Sequence, residues 1–368
     1  MESITPELLF WHYLEDEPRS IQEKLSNSEL GPYLFFRRSK SAIQARLAEL
    51  FPHDHVPRTL LHGSPHIDNY IKTIDGFGMI DFDRSYIGPY IWDIVCSLLA
   101  INLRNPARHH RPISSQVSEV YFECYRHHFQ HPEQAYLPYE PLENIILETW
   151  ETNIELYLSG HHKWAKKLNN APVRLNDPIA KALLAAYSEH LPKPNPLKNY
   201  QLIQLARTAG SFGRRRYLCL LENQLQNAEP ILLDIKETKN YLQSDWPHNK
   251  WYDTPYFQQG QRMVQAAMLY APACVQLESY ATVNGLQYWG RKIPTLNRKP
   301  AKLFSKSDQI AFARSAASQL ARGHRLGIQQ DKPKVLLTHF EAHFARLVAI
   351  SEKIQAELLA VRNDCIKS

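Results

Sequence analysis

The sequence predicts an α+β protein with two parts, a small antiparallel sheet and a larger helical body. Strand-like runs cluster between residues 201 and 300, with RRYLCLLEN at 215–223 and PILLDIKET at 230–238 reading as one hairpin. Two more runs, around Val275–Val283 and Leu286–Ile293, meet at Asn284-Gly285. That dipeptide signals a tight hairpin because both residues accept positive φ. The flanking sequence reads mainly as helix. With 368 residues, 44% hydrophobic and 22% charged, the chain is ordinary for a globular protein and long enough for two lobes.

The elements follow in order. Residues 1–60 read as helices, and Ser41–Phe51 places Ile43, Leu47, Leu50 and Phe51 on one face before Pro52 and Pro57 end it. Short strands are expected at 59–61 and 78–80, around a polar loop. Gly88-Pro89 then gives way to an apolar helix, Tyr90–Leu103. Residues 105–200 are expected to be mostly helical, with a hinge at LPKPNP, 191–196. A helix follows near Tyr256–Leu269, and two long helices, 307–326 and 333–362, close the chain. The expected organisation has three segments. Residues 1–200 form a helical lobe that carries a polar-loop segment (58–104) and a helical insertion (105–200). Residues 201–300 form the β-rich lobe, and 301–368 complete the helical one.

Charge and cysteine usage narrow the function classes. The net charge of +6 suits an anionic ligand, but there is no long Lys/Arg block and no aromatic-basic repeat, so nucleic acid is not expected. The five cysteines stand far apart with no CxxC pair, as for reduced, buried thiols in a cytoplasmic protein. The N-terminal stretch lacks a basic region followed by an apolar run, so it does not read as a signal peptide. The most apolar run, Ile91–Ile101, contains Asp93 and falls far short of the roughly 20 residues a membrane helix needs. No membrane partner is expected.

Two stretches carry chemistry. In HGSPHIDN (62–69) and IDFD (80–83), a loop presents Asn69 and a strand ends in Asp81. An amide oxygen and a carboxylate can share one hard divalent cation, with substrate phosphates as further ligands. Far downstream, Thr208-Ala-Gly-Ser-Phe-Gly213 joins two strand-like segments. Glycine there lets backbone approach phosphate closely. The next strand ends in Asp234-Ile-Lys236, which places a lysine beneath that loop.

At these residues the chain resembles the bacterial DUF2252 family, grouped with the protein-kinase-like superfamily that includes aminoglycoside phosphotransferases. The matching segments are Phe35-Phe-Arg-Arg38, His62 to Tyr70, Ile80 to Ser85, Gly88 to Ile94, Thr208 to Gly213 with Arg216-Tyr217, Leu232 to Thr238, Gln261 to Val264 and Leu320 to Arg325. The resemblance implies a two-lobe kinase-like fold and binding of ATP and Mg²⁺. Asn69 and Asp81 would hold the metal. Thr208, Gly210, Ser211, Gly213 and Lys236 would hold the nucleotide. Against the usual kinase order, the catalytic loop and metal aspartate here precede the glycine loop and lysine, so the resemblance implies a circular permutation. The helix ending in Leu320-Ala-Arg-Gly-His324 is then expected beside the 62–69 loop.

The chain departs from the family pattern at its chemical centre. Ser64 stands where the family carries the aspartate that accepts the substrate proton, and a serine hydroxyl is no base unaided near neutral pH. Thr208 replaces the first glycine, and Gln261, the expected helix position facing Lys236, is not acidic. Two readings follow. One is a phosphotransferase or nucleotidyl transferase with altered loop chemistry, assisted by Ser64, Asp68 or Asp83 and acting on an unknown small-molecule or protein acceptor. The other is a catalytically inactive pseudokinase acting as a binding or regulatory scaffold.

Other residues invite weaker assignments. His62, His66, Asp81 and Asp83 suggest a metallohydrolase, but Gly63 and Pro65 disfavour the helix an HxxxH pair needs. His62 reads better as a structural histidine beneath the loop. In the kinase-like folds that the chain resembles, the corresponding residue caps the loop's amides, so the resemblance implies a structural role for Asp93. The histidine-rich stretch 108–131 reads as a solvated helical face. Arg214, Arg215 and Arg216 are placed either to reach phosphates or to face solvent at a strand edge.

Overall fold

The computed structural model describes residues 25–367 except 144, 146–151, 160–161, 210–213, 226–227, 241, 243–249, 275, 297, 301–304 and 330–331. The chain opens with helices α1 (Gly31–Arg38) and α2 (Lys40–Leu50). Strand β1 (Arg58–Leu60) pairs antiparallel with β4 (Ile87–Pro89), and between them β2 (Tyr70–Thr73) pairs with β3 (Gly76–Met79). Of these, β2 and β4 are absent from the sequence reading. The strand β4 contains the Gly88-Pro89 pair that precedes the apolar helix. It forms because its pairing lies at a two-stranded edge, where proline is tolerated. Helix α3 (Ile91–Leu103) follows and is buried on every face.

Helices α4 (Ser115–Gln130), α5 (Glu140–Glu143), α6 (Ile154–Ser159), α7 (Lys163–Asn170) and α8 (Pro178–Glu189) come next. Asp177 caps α8 through the Ala180 amide at 2.9 Å, and Pro178 supplies a first-turn residue without an N–H to satisfy. The sheet runs β5 (Tyr200–Ala209), β6 (Arg215–Asn223), β7 (Ile231–Glu237), β8 (Ser279–Val283) and β9 (Leu286–Lys292), with α9 (Gln259–Tyr270) between β7 and β8 in the chain. All pairings are antiparallel, in the spatial order β5-β6-β7-β9-β8. The β8–β9 turn has positive φ at both Asn284 (51°) and Gly285 (76°), the conformation that dipeptide favours. Helices α10 (Lys306–Gly327) and α11 (Pro333–Lys367) end the chain. A capping box between Ser305 and Asp308 starts α10.

Strand alternation sorts the sheet residues onto two faces. Tyr217, Cys219, Leu233, Ile235 and Tyr288 pack with Leu183 and Tyr187 of α8. On the other face Ala206, Leu218, Leu232 and Ile293 pack with Ile154 and Tyr157 of α6 and Trp164 and Leu168 of α7. The helices of 154–189 therefore cover the sheet, whereas α4 joins α3, α10 and α11 in the largest core. Helix α9 bridges the parts: Met263, Ala266 and Tyr270 enter the large core while Gly260 lies against Tyr280 and Tyr288 of the sheet. Among the described residues, no helix is long and apolar enough to cross a membrane.

The histidine-rich stretch differs from a uniformly solvated face. His109 and His128 are buried, held by the carbonyls of Leu103 at 2.8 Å and Cys124 at 3.0 Å. The five cysteines are free, four of them buried.

Candidate active site

A short hairpin brings Asn69 to Asp81. Strands β2 and β3 pair with Tyr70 opposite Met79, so the residues just outside the pair, Asn69 and Ile80, become neighbours. The Ile80 N–H donates to the Asn69 carbonyl at 2.7 Å and closes the junction. Asp81 follows at once with φ 70°. A β-carbon in that region costs on the order of 1 kcal/mol and persists only where the surroundings impose it. The Asp81 carboxylate is 49% exposed.

The 62–69 loop is held from beneath. Asp93, in the first turn of α3, accepts from the His62 amide at 2.8 Å and the Gly63 amide at 2.9 Å. It also meets His324 Nε2 at 3.2 Å, which places the end of α10 under the loop. His62 Nδ1 accepts from the Ser64 amide at 3.1 Å, and Nε2 donates to the Ile80 carbonyl at 3.2 Å. Both ring nitrogens are thus used to brace the loop against the Asp81 strand, as expected of a structural histidine. Gly63 has φ +78°, and a Cβ there would sit 1.7 Å from the Arg84 carbonyl oxygen, so only glycine fits.

Burial keeps this histidine neutral, with its pKa pushed down to about 4. His53 is lowered to about 4 and His66 is held well below the ordinary histidine range, both chiefly by burial. Below about pH 6.5 the unfolded chain takes up protons that these folded rings refuse. Stability is therefore expected to fall as pH drops from about 6.5 towards 4, by roughly 1.4 kcal/mol per pH unit for His62 alone. Urea unfolding at pH 7 and pH 5 measures this, and equal free energies at the two values would contradict a neutral His62.

Lys236 arrives from the five-stranded sheet. On β7 it faces the same way as Arg216 of β6 and Trp289 of β9, its direct register partners. Its Nζ lies 3.1 Å from Asp83 Oδ1 and 3.4 Å from Asp81 Oδ1. Burial opposes the lysine charge, but Asp83, Asp81 and Asp234 outweigh it and raise the pKa. The surrounding protein likewise disfavours the Asp81 charge, yet Lys236 and Lys40 hold its carboxyl well below the usual range. Arg214 ties Asp83 from the edge of β6 at 3.2 Å.

The remaining sequence-derived candidates are placed as follows. Ser64 is buried next to Asn69, whose Nδ2 donates to the Ser64 carbonyl at 3.0 Å and to its hydroxyl at 3.3 Å. Asp68 is engaged by Arg37 at 2.7 Å and lies 3.8 Å from Arg104, while Lys299 donates to its carbonyl at 2.6 Å. Thr208 lies near the end of β5. Gly210, Ser211 and Gly213 lie outside the described residues, between the paired ends Ala209 and Arg215 of adjacent strands. Among the described residues the ion pairs of Lys236 are with Asp81 and Asp83, and Glu237 is used elsewhere, accepting from the Arg215 amide at 3.1 Å.

Four features escaped the sequence reading. The first is Arg262 on α9, fully buried, which donates to the carbonyls of Phe82 (3.2 Å), Ser85 (2.8 Å) and Asp83 (3.0 Å) and to the Ser85 hydroxyl (2.9 Å). It clamps the segment that carries Asp81 and Asp83. Its signal was an arginine on an apolar face with Met263, Ala266 and Tyr270. The second is Lys40, whose amine contacts the Ser64 hydroxyl. The third is an Arg216–Asp234 ion pair stacked on Trp164, with the guanidinium carbon 4.8 Å from the ring centre. Trp164 thereby covers the strand face beside Lys236. The fourth is Glu278, a buried carboxyl beside Trp289, where burial raises the pKa well above normal although Arg291, Lys236 and the Trp289 indole oppose this. Pair chemistry of this kind has no local sequence pattern.

Comparison with known families gives two matches. The family described as "Uncharacterized protein conserved in bacteria (DUF2252)" matches residues 158–361, more than half of the chain. The chain belongs to the DUF2252 family. A second family, APH, described as "Phosphotransferase enzyme family", matches residues 7–122. That stretch holds the 62–69 loop, Asp81 and Asp93, so this DUF2252 protein is related to the kinase-like superfamily through the segment that carries its candidate site. No curated protein and no solved structure matches the chain.

Proposed function

We propose that the protein is a kinase-like binder of magnesium nucleotide, of the phosphotransferase class, with its kinase parts in permuted order. One observation carries the reading: Lys236, 155 positions from Asp81 in sequence, meets Asp81 and Asp83 just after the hairpin whose base joins Asn69 to Ile80. The strand order with α9 between β7 and β8, and the end of α10 beneath the 62–69 loop, support the permuted arrangement.

The residues present fit a hard cation. Asn69 Oδ1 and the half-exposed Asp81 carboxylate offer oxygen ligands, and the clamped, positive-φ Asp81 is held in place before any ligand arrives. Bound magnesium ATP supplies the transferable phosphoryl group and the charge that neutralises it. In the chain itself, Lys236 is positioned to exchange its carboxylate partners for phosphate oxygens. Arg262 fixes the loop that presents Asp81, and Asp93 fixes the loop that presents Asn69.

A second reading, an inactive scaffold, is favoured by two observations. The position of the proton acceptor holds Ser64 beside an amine, and Trp164 covers the strand face next to Lys236. Thermal stabilisation by ATP, with and without Mg²⁺, tests binding. The expected result is a metal-dependent rise in melting temperature that disappears in Lys236→Ala and Asp81→Ala. No shift at millimolar ligand removes the nucleotide reading. Transfer of isotope from labelled ATP then separates the active form from the scaffold.

A further inference from the structure

We infer that Ser64 is a nucleophile activated by Lys40. The Lys40 amine contacts the Ser64 hydroxyl, the two residues come from segments 24 positions apart, and both are buried. A lysine can act as general base only as the free amine, which burial favours because it penalises the ammonium form. The pKa of Lys40 is indeed lowered to about 8, by burial first and by Arg84 and Arg37 as well. Cys96 of α3 and Asp81 oppose that shift. His62 and His66 also face Lys40, and both are held neutral by burial. The hydroxyl is oriented from a second side by Asn69 Nδ2 at 3.3 Å. A hydroxyl, an amine within reach of its proton and a third group that orients the pair make up an activated nucleophile.

The substrate follows from the site. Resting on the nucleotide-binding reading, Ser64 is the acceptor of the terminal phosphoryl group. The Ser64 Oγ–phosphorus bond forms as the bond from that phosphorus to the oxygen bridging to the β-phosphate breaks. The diphosphate leaves with the electron pair, and the hydroxyl proton passes to Lys40. The resulting ammonium then pairs with the new phosphoserine. The departure from the family aspartate thus supplies a nucleophile where a base is missing.

Two experiments on the full chain separate this inference from the reading beneath it. The first uses no nucleotide. A fluorophosphonate probe is expected to label Ser64, with the Oγ–phosphorus bond replacing phosphorus–fluorine and fluoride leaving. Labelling is expected to be absent in Ser64→Ala and to fall about 100-fold in Lys40→Met and in Lys40→Arg, which keeps a charge it cannot surrender. Circular dichroism shows whether each variant is folded. A folded wild type that stays unlabelled, or a folded Lys40→Arg labelled at the wild-type rate, overturns the dyad. The second experiment incubates the chain with magnesium ATP and maps phosphate by mass spectrometry. Phosphate on Ser64 supports the acceptor role. Metal-dependent nucleotide binding without phosphate on Ser64 overturns that role and leaves the nucleotide reading intact. No binding at all removes both.

Discussion

Replacing Arg262 with methionine is expected to lower the unfolding free energy by about 3 kcal/mol or more and to weaken magnesium nucleotide binding at the same time. The side chain is fully buried and donates to three carbonyls of one loop, those of Phe82, Asp83 and Ser85. A buried acceptor left unpaired costs roughly 1–3 kcal/mol, and here several lose their partner together. Methionine has a similar length but no donor, so the loss is of hydrogen bonds more than of packing volume. The loop so released is the one that presents Asp81 in a left-handed conformation and Asp83 to Lys236. Lysine at 262 keeps the charge but not the planar fork, so Arg262→Lys is expected to recover only part of the loss. Urea unfolding and nucleotide-dependent melting measure the two effects. An unchanged unfolding midpoint in the methionine variant would show that the clamp contributes nothing.

The second large effect concerns the missing aspartate. Ser64→Asp alone is expected to change phosphate release from ATP by less than about tenfold, because the new carboxylate falls beside Lys40 and is consumed as its ion-pair partner. The double variant Ser64→Asp with Lys40→Ser is expected to release phosphate about 100-fold faster than the wild type, the scale on which a positioned base acts. Here water serves as the acceptor and inorganic phosphate is the readout. A double variant that binds magnesium nucleotide yet stays as slow as the wild type would show that position 64 is not where the proton is taken. The contrast between single and double variants matters, since it depends on Lys40 and on no other feature of the loop.

Several residues of the candidate site stood out in the sequence because their motifs are local. Asn69 and Asp81 lie in adjacent short motifs, and an apolar strand followed by an acidic residue needs no distant partner to be recognised. The Asn284-Gly285 turn and the long C-terminal helices were legible for the same reason, since turn chemistry and helical periodicity act within a few residues. Strands β2 and β4 were not, because three or four residues carry too little pattern to tell a strand from a loop. The burial of His109 and His128 was hidden by composition. Histidines in a row look solvated until neighbouring carbonyls of the folded chain turn two of them inward.

The sequence by itself determined the α+β class, which follows from short-range propensity. It also singled out Asn69, Asp81 and Lys236 as candidates by residue type and position, while the serine at position 64 stood out only through the family resemblance. Only the tertiary structure decided that Lys236 faces Asp81 and Asp83, that Arg262 rather than Gln261 is the buried residue of α9 at the candidate site, and that Lys40 stands against Ser64. Each of these is a contact between segments separated by 24 to 180 positions. Its energy arises from burying charge among specific partners, and no local pattern of residues encodes who those partners are.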